Sequence, residues 1–473
     1  MVATSPDCDQ SFSSSRTIGK PLFYPPTINP SPEILPPLKG LFAALRNPLE
    51  YWSEPFFEKS LHVARFMGRT FLTVIDPDLT KQVLADRAHE FRKSPFIEQI
   101  LRPALGDGLL TAAGDSWRAQ RRLAEPAFRS DKIDELVPSF ARTGAAATER
   151  LLRSGSGTPV EVLGVMEEAS LDAIMDALVG AASSNLDRSQ IRREVAIYIA
   201  TLGQVDLLDL AGVPAWLPRP WRSRGYVAAR RLRESAARVI AERRKSGVFG
   251  NDLLSFLIRA QESDLDAQLT NEQLVDNVLT FISAGFETTP LAVTWTLSIL
   301  ANLPELQQQL ADEAEEVCPN CTITAERIQR LELHGRVIQE AMRLYPPVAS
   351  IGLSPIARTK VAGVALRPGD HITIAIYLLH RHKRLWDDPS AFDPDRFTPA
   401  RSRARHRFAY LPFGAGKRIC IGMRLATVEA TVILASAIRR AVFAPDPHHV
   451  IRPLAKVWLR PQGGMPLCVS PRI

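Results

Sequence analysis

The sequence predicts one large, mainly α-helical domain with a minor β region. Three observations carry that expectation. Apolar residues make up 45% and charged residues 23% of the 473, a balance that buries a large core and excludes disordered, fibrous and collagen-like chains. The middle of the chain reads with helical periodicity, whereas strand signals are few and short. Neither an internal repeat nor a flexible linker divides the chain, so its length goes to a single domain over 46–473.

The elements follow in order. Residues 1–45 are rich in Ser and Pro, and Pro25-Pro26, Pro30, Pro32 and Pro36-Pro37 predict an extended lead-in draped over the body. A strand is expected from Thr70 to Ile75, closed by Asp76-Pro77-Asp78 and followed by a helix. Thr270 and Gln273 form a capping-box pattern that opens a long helix, on which Leu274, Val278, Ile282, Gly285 and Thr288 share a face. A later helix ends before Pro346-Pro347. Two strands flank the turn Arg367-Pro368-Gly369-Asp370, the second with Ile372, Ile374 and Ile376 in alternation.

Charge and cysteine usage narrow the class. Lys and Arg outnumber Asp and Glu by 58 to 51, and the surplus is spread along the chain, unlike a nucleic-acid-binding tail. The denser run Arg401-Ser402-Arg403-Ala404-Arg405-His406-Arg407 is either a docking patch for an acidic partner or a solvated loop. Five cysteines are too few and too uneven for a disulfide framework, which fits a reducing, cytoplasmic setting. No signal-peptide core and no apolar run of about 18 residues is present, so no membrane span is expected. Cys318-Pro-Asn-Cys321 has the spacing of half a zinc site without a second pair.

Chemistry concentrates in Phe413-Gly-Ala-Gly-Lys-Arg-Ile-Cys420-Ile-Gly422. By residue type alone a single cysteine is more often a small buried hydrophobe, and a phosphate loop is excluded because Leu411 and Arg418 stand where that pattern needs Gly and Ser or Thr. The functional alternative is a thiolate ligand to iron, which donates electron density and favours O–O cleavage. Gly414, Gly416 and Gly422 would let the backbone approach a flat cofactor and turn amides to the sulfur, with Lys417 and Arg418 favouring the thiolate. Within the long helix stands Ala284-Gly285-Phe286-Glu287-Thr288-Thr289. Gly285 costs about 1 kcal/mol there relative to Ala, which close approach to a cofactor would explain, and Thr288 can bond back to a main-chain carbonyl and bend the helix. Glu340 and Arg343 stand three apart on a helix, and Phe392-Asp-Pro-Asp-Arg396-Phe397 follows. Gly114-Asp-Ser-Trp117-Arg-Ala-Gln-Arg121-Arg122 precedes them all.

Together these segments, in this order from Gly114 to Gly422, resemble the cytochromes P-450. The run Phe-x-x-Gly-x-x-x-Cys-x-Gly is similar to that family's haem signature, and Ala284–Thr289 to its oxygen-activating helix. The resemblance implies a triangular helical prism around a buried haem b (iron protoporphyrin IX), with Cys420 as the axial iron ligand. Phe413, Gly414, Gly416, Arg418, Trp117, Arg121, Ala284 and Gly285 would contact the cofactor, Glu287 and Thr288 would be the acid–alcohol pair that relays protons, and Glu340, Arg343 and Arg396 would hold the scaffold of the cysteine loop. His380-Arg381-His382 is expected at a strand end near the haem periphery. The implied function is monooxygenation, in which a monomer uses dioxygen and electrons from a separate ferredoxin- or flavodoxin-type donor with its reductase, since the chain ends about fifty residues after Cys420. The rivals are a peroxide-dependent haem-thiolate enzyme and a non-catalytic haem sensor. Apolar stretches Phe96–Leu110 and Val205–Trp221 are expected to line a pocket for a lipophilic substrate, terpenoid-like in preference to fatty acid, steroid or aromatic. One departure stands out: Gly352-Leu353-Ser354-Pro355 lacks the propionate-binding arginine of many bacterial members, and Arg358 is displaced.

Overall fold

The computed structural model describes residues 22–153, 158–180, 187–202, 219–263, 269–319 and 323–473. Its longer helices are α1 Pro37–Arg46, α2 Pro95–Leu105, α3 Gly114–Ala124, α4 Val137–Leu152, α5 Val162–Val179, α6 Arg188–Leu202, α7 Ser223–Ser246, α8 Leu253–Ser263, α9 Asn271–Leu300, α10 Pro304–Val317, α11 Glu332–Leu344 and α12 Met423–Arg440. The main sheet has five strands, β1 Leu61–Phe66, β2 Arg69–Val74, β3 Phe91–Lys93, β4 Ile351–Pro355 and β5 His371–Ile374, in the order β1-β2-β5-β4-β3. All its pairings are antiparallel except β2 with β5, where Phe71 stands opposite His371.

Helix α9 organises the molecule because both of its halves are buried. Its N-terminal half, with Val278, Phe281 and Ile282, shares a core with α2, α5 and α7. Its C-terminal half, with Trp295 and Leu297, shares another with Ala341 of α11 and Ile433 of α12. The start is fixed locally: the Thr270 hydroxyl accepts from the Gln273 amide at 3.1 Å, and the Gln273 side chain accepts from the Thr270 amide at 3.0 Å. A third, smaller core lies under the sheet and joins Ile372 and Ile374 to Phe408 and Leu411, at the entry to the cysteine loop.

The structure corrects several expectations. The lead-in is not wholly extended, for Pro37 opens α1, and proline at the first helical position is already set for a helix. Its described part before α1 lies along the body, with Phe23 paired to Phe392 and the Thr27 and Tyr377 hydroxyls bonded at 2.7 Å. Ile376 does not extend β5. It opens a short helix, Ile376–Leu379, that carries His380-Arg381-His382 at its end instead of at the end of a strand. The basic run is neither a plain patch nor a plain loop, since Arg401 pairs with Asp393 at 2.9 Å and Arg405 stacks over Trp386 and Phe397 at 4.4 and 4.6 Å, which leaves Arg403 and Arg407 exposed. Cys321 and 205–218 lie outside the described residues. Among those described, no helix is long and apolar enough to cross a membrane.

Candidate functional site

The cysteine loop is shaped by two glycines with left-handed backbone, Gly414 and Gly416, both at φ +70°. A Cβ at Gly416 would stand 1.9 Å from the Leu84 carbonyl oxygen, so the loop is pressed against the turn at 82–86. Gly416 is thus required by a chain-to-chain contact. The Cys420 amide donates to the Phe413 carbonyl at 3.0 Å and closes the loop. Cys420 has an accessible surface, yet enough protein surrounds it that burial pushes its thiol pKa up, against the Gly422 amide and the Arg121 charge, which favour the thiolate. The charge of Arg121 acts on the sulfur.

Helix α3 supplies the adjoining wall. Arg418 lies over the Trp117 ring at 4.5 Å and donates to the Ala112 carbonyl at 3.0 Å. Arg121 donates to the Ile419 carbonyl at 2.8 Å and to Glu125 at 2.9 Å, which ties α3 to the residue before the cysteine. Beyond the loop, Phe128 lies 3.8 Å from where a Gly422 Cβ would stand and packs on Phe281 of α9 with ring centroids 5.4 Å apart. The end of the loop and the long helix are therefore joined through one aromatic side chain.

On α9 the Thr288 hydroxyl donates to the Ala284 carbonyl at 2.7 Å, and Ala284 is exposed. A Cβ at Gly285 would meet Ile174 of α5 at 3.0 Å, so the glycine permits helix–helix approach. Glu287 is 2% exposed and accepts from Arg460 at 2.8 Å. Arg460 also pairs with Glu167 of α5. Burial pushes the Glu287 carboxyl up to about 7, against the pull of Arg460 and with help from Glu167. Neighbouring helix positions point apart, so Glu287 and Thr288 engage different partners and do not bond to each other.

Ser170 of α5 donates to the Gly285 carbonyl at 3.2 Å and lies 2.5 Å from Glu429 of α12. A hydroxyl has one hydrogen, so both contacts are served at once when Glu429 carries a proton of its own. Burial indeed raises Glu429 to about 8. This acid keeps its proton in the folded chain and releases it in the unfolded one, so stability falls as pH rises from about 4.5 to about 8 and is level above. The slope is on the order of 1.4 kcal/mol per pH unit in that window. Glu429→Gln is expected to lessen the slope by that amount in urea-unfolding midpoints measured across the window, Glu287 contributing a slope of the same sign up to about 7; an unchanged slope would refute the assignment. Glu429 was detectable as the one charge in the apolar run Leu425–Ile433. Arg460, Glu167 and Ser170 carry no such signal.

Glu340, Arg343 and Arg396 meet in a buried network. Arg343 grips Glu340 through two bonds of 2.6 and 2.7 Å and donates to the carbonyls of His380, Pro389 and Ala391. Arg396 donates to Glu340 at 3.3 Å and to the Asp388 carbonyl at 2.9 Å. The His380 ring then accepts from the Leu411 amide at 2.8 Å, which connects the network to the entry of the cysteine loop. Of the expected pocket segment Phe96–Leu110, Ile100, Leu101, Ala104, Leu105 and Leu109 are buried in the core.

A sequence model of the family described as Cytochrome P450 matches residues 56–468. The chain is 31% identical over 432 residues to cyclooctat-9-en-7-ol 5-monooxygenase of Streptomyces melanosporofaciens, covering 89% of this chain and 91% of that protein. It is 30% identical to cyclooctatin synthase of the same organism, over 88% and 89% of the two chains, and 30% identical to taurochenodeoxycholic 6 alpha-hydroxylase of Sus scrofa, over 84% and 82%. The fold superposes on the crystal structure of the cytochrome P450DA heme domain with a TM-score of 0.80, covering 94% of this chain and 98% of that one at 24% identity. The class so defined is that of oxidoreductases acting as monooxygenases. The chain belongs to the cytochrome P450 family, which uses haem.

The residues present fit that group. Cys420 offers an accessible sulfur backed by an amide. Arg418, whose pKa burial pulls down, has no ion pair with a carboxylate among the described residues and so suits an anionic group.

Proposed function

We propose that the chain is a haem b monooxygenase that hydroxylates a lipophilic, alicyclic small molecule of terpenoid type, with electrons from a separate ferredoxin- or flavodoxin-type protein and its reductase. The observation that carries the reading is the pairing, on one buried helix, of a Thr288 hydroxyl turned onto the Ala284 carbonyl with a Glu287 carboxyl held near neutrality. Haem, when bound, supplies the activation of dioxygen and the attack on carbon. Cys420 would hold it through the sulfur; Trp117, Arg121 and Arg418 would line the site with cationic and aromatic groups suited to its carboxylates, and Phe413, Gly414 and Gly416 keep the loop in shape.

The proton chemistry belongs to the protein. Thr288 bonds to Ala284 through its only hydrogen, and its oxygen stays free to accept from water, so it orders a proton donor above the exposed Ala284. With a pKa of about 7, Glu287 gains and loses a proton near neutral pH, the property a proton shuttle needs. Burial sets that value against the pull of Arg460, and Arg460, itself paired with Glu167, holds the carboxyl in place. The substrate class is supported by the two Streptomyces relatives, one of which by its name acts on an alicyclic alcohol. The exposed cations Arg118, Arg122 and Lys417 around the cysteine loop are a surface that an acidic donor protein would meet.

Thr288→Ala is expected to keep the haem-thiolate spectrum while product formation falls by roughly a hundredfold and peroxide takes up the electrons. The ratio of product to peroxide per reducing equivalent checks it. Full coupling in the variant would overturn the role of Thr288.

A further inference from the structure

The basic run that begins at Arg401 folds around a cavity. Pro394 opens the turn Pro394–Phe397, and Pro399 opens the short helix Pro399–Ala404. Between these and Leu385-Trp386-Asp387 lies a cavity of about 220 Å³, open to solvent on one side and lined by Arg396, Arg401 and Arg405. Arg396 is buried, Arg405 half-buried and Arg401 exposed. Arg405 is fixed in the wall: its guanidinium lies over the Trp386 and Phe397 rings at 4.4 and 4.6 Å and donates to the Arg396 carbonyl.

The charges around this cavity do not balance. Glu340 pairs with Arg343 and Arg396, and Asp393 with Arg396 and Arg401. Arg405 forms no ion pair among the described residues. Four guanidinium groups therefore share two carboxylates, and Asp387, exposed in the same wall, pairs with none of them. Burial, with the charges of Arg343 and Arg401, brings the pKa of Arg405 down to about 10 against Tyr410 and Glu340. The hydrogen-bonding capacity is unfilled as well. Arg401 gives Asp393 only Nη1, and Arg405 gives the Arg396 carbonyl only Nη2. Each keeps Nε and a second terminal nitrogen without a protein acceptor among the described residues.

We propose that this cavity binds a phosphate group, free or carried by a small organic molecule, through Arg401 and Arg405, with Arg396 as the charge behind them. Guanidinium forks match phosphate oxygens two at a time. A phosphate monoester carries about −1.5 to −2 near neutral pH, which answers a surplus of two positive charges better than the single charge of a carboxylate. The inference does not depend on the haem-binding reading, and it gives the run at Arg401 a role that reading leaves open.

Phosphorus NMR titration of the purified full-length protein with inorganic phosphate and with phenyl phosphate, at an ionic strength held constant with chloride, tests it. Arg401→Gln is expected to weaken binding of both anions by about tenfold, the effect of losing one charge-assisted bond. Arg405→Lys keeps the charge without the fork and should weaken it similarly. Arg403→Gln removes an exposed charge of the same helix that does not line the cavity, and should bind as wild type does. Either anion bound in this pattern supports the site. A stronger hold on phenyl phosphate would point to an organic phosphate, and an equal hold to the free ion. Absence of binding by both anions would overturn the proposal. So would equal weakening by Arg403→Gln and Arg401→Gln, which reduces the site to diffuse surface charge. Binding of poly-L-glutamate without binding of either phosphate would overturn it in favour of an acidic protein.

Discussion

Cys420→Ser is expected to abolish the far-red-shifted Soret band of the reduced carbon monoxide complex and, with it, hydroxylation. The geometry makes the loss specific. The Cys420 amide bonds to the Phe413 carbonyl and the Ile419 carbonyl accepts from Arg121, so the loop is held by backbone groups that the substitution leaves in place. Serine removes only the soft thiolate, the ligand that pushes electron density onto iron in this class. The difference spectrum of the dithionite-reduced variant, beside its circular dichroism, is the measurement. A wild-type protein with a band at the position typical of histidine-ligated haem, or a variant that keeps the shifted band, would show that another residue binds the iron.

The largest effect on stability is expected from Arg343→Ala. Arg343 and Glu340 are both fully buried, and Arg343 satisfies three carbonyls besides its carboxylate partner. Truncation leaves a buried carboxylate with one arginine in place of two, and removes the donor from two buried carbonyls and one half-buried one. Breaking one partner of a buried pair costs about 3–5 kcal/mol, against a total stability of roughly 5–15 kcal/mol for a folded protein. The variant should unfold at much lower urea and, because His380 connects the network to Leu411, hold haem less well. An unfolding midpoint shifted by less than about 1 kcal/mol would show that the network contributes little. Arg343→Lys, which lacks the bidentate fork, should recover only part of the loss.

The legible part of this protein is the part whose cause is local. The capping box at Thr270 and Gln273 is a three-residue pattern, and it opens α9 where expected. Gly414 and Gly416 are needed by the backbone of their own loop. Asp76 caps the helix at Pro77 by accepting from the two following amides. Even here the local pattern misled where a proline or an alternation has two outcomes: Pro37 starts a helix, and Ile376 leaves its strand, because packing against the body selects between conformations that the sequence tolerates equally.

By itself, the sequence determined the helical class and the local caps and turns, which rest on short-range hydrogen bonds and steric limits that are the same in any fold. Through its resemblance to a known family it also nominated the cysteine loop, the helix Asn271–Leu300 and the charged residues Glu340, Arg343 and Arg396. The tertiary structure alone decided which charges meet. Arg460 reaches Glu287 across 173 residues, and Glu429 meets Ser170 across 259. Burial and those partnerships set the pKa values and the charge of the site, and they follow from how helices and strands pack, since desolvation and Coulomb attraction depend on distances in space that no periodicity along the chain records.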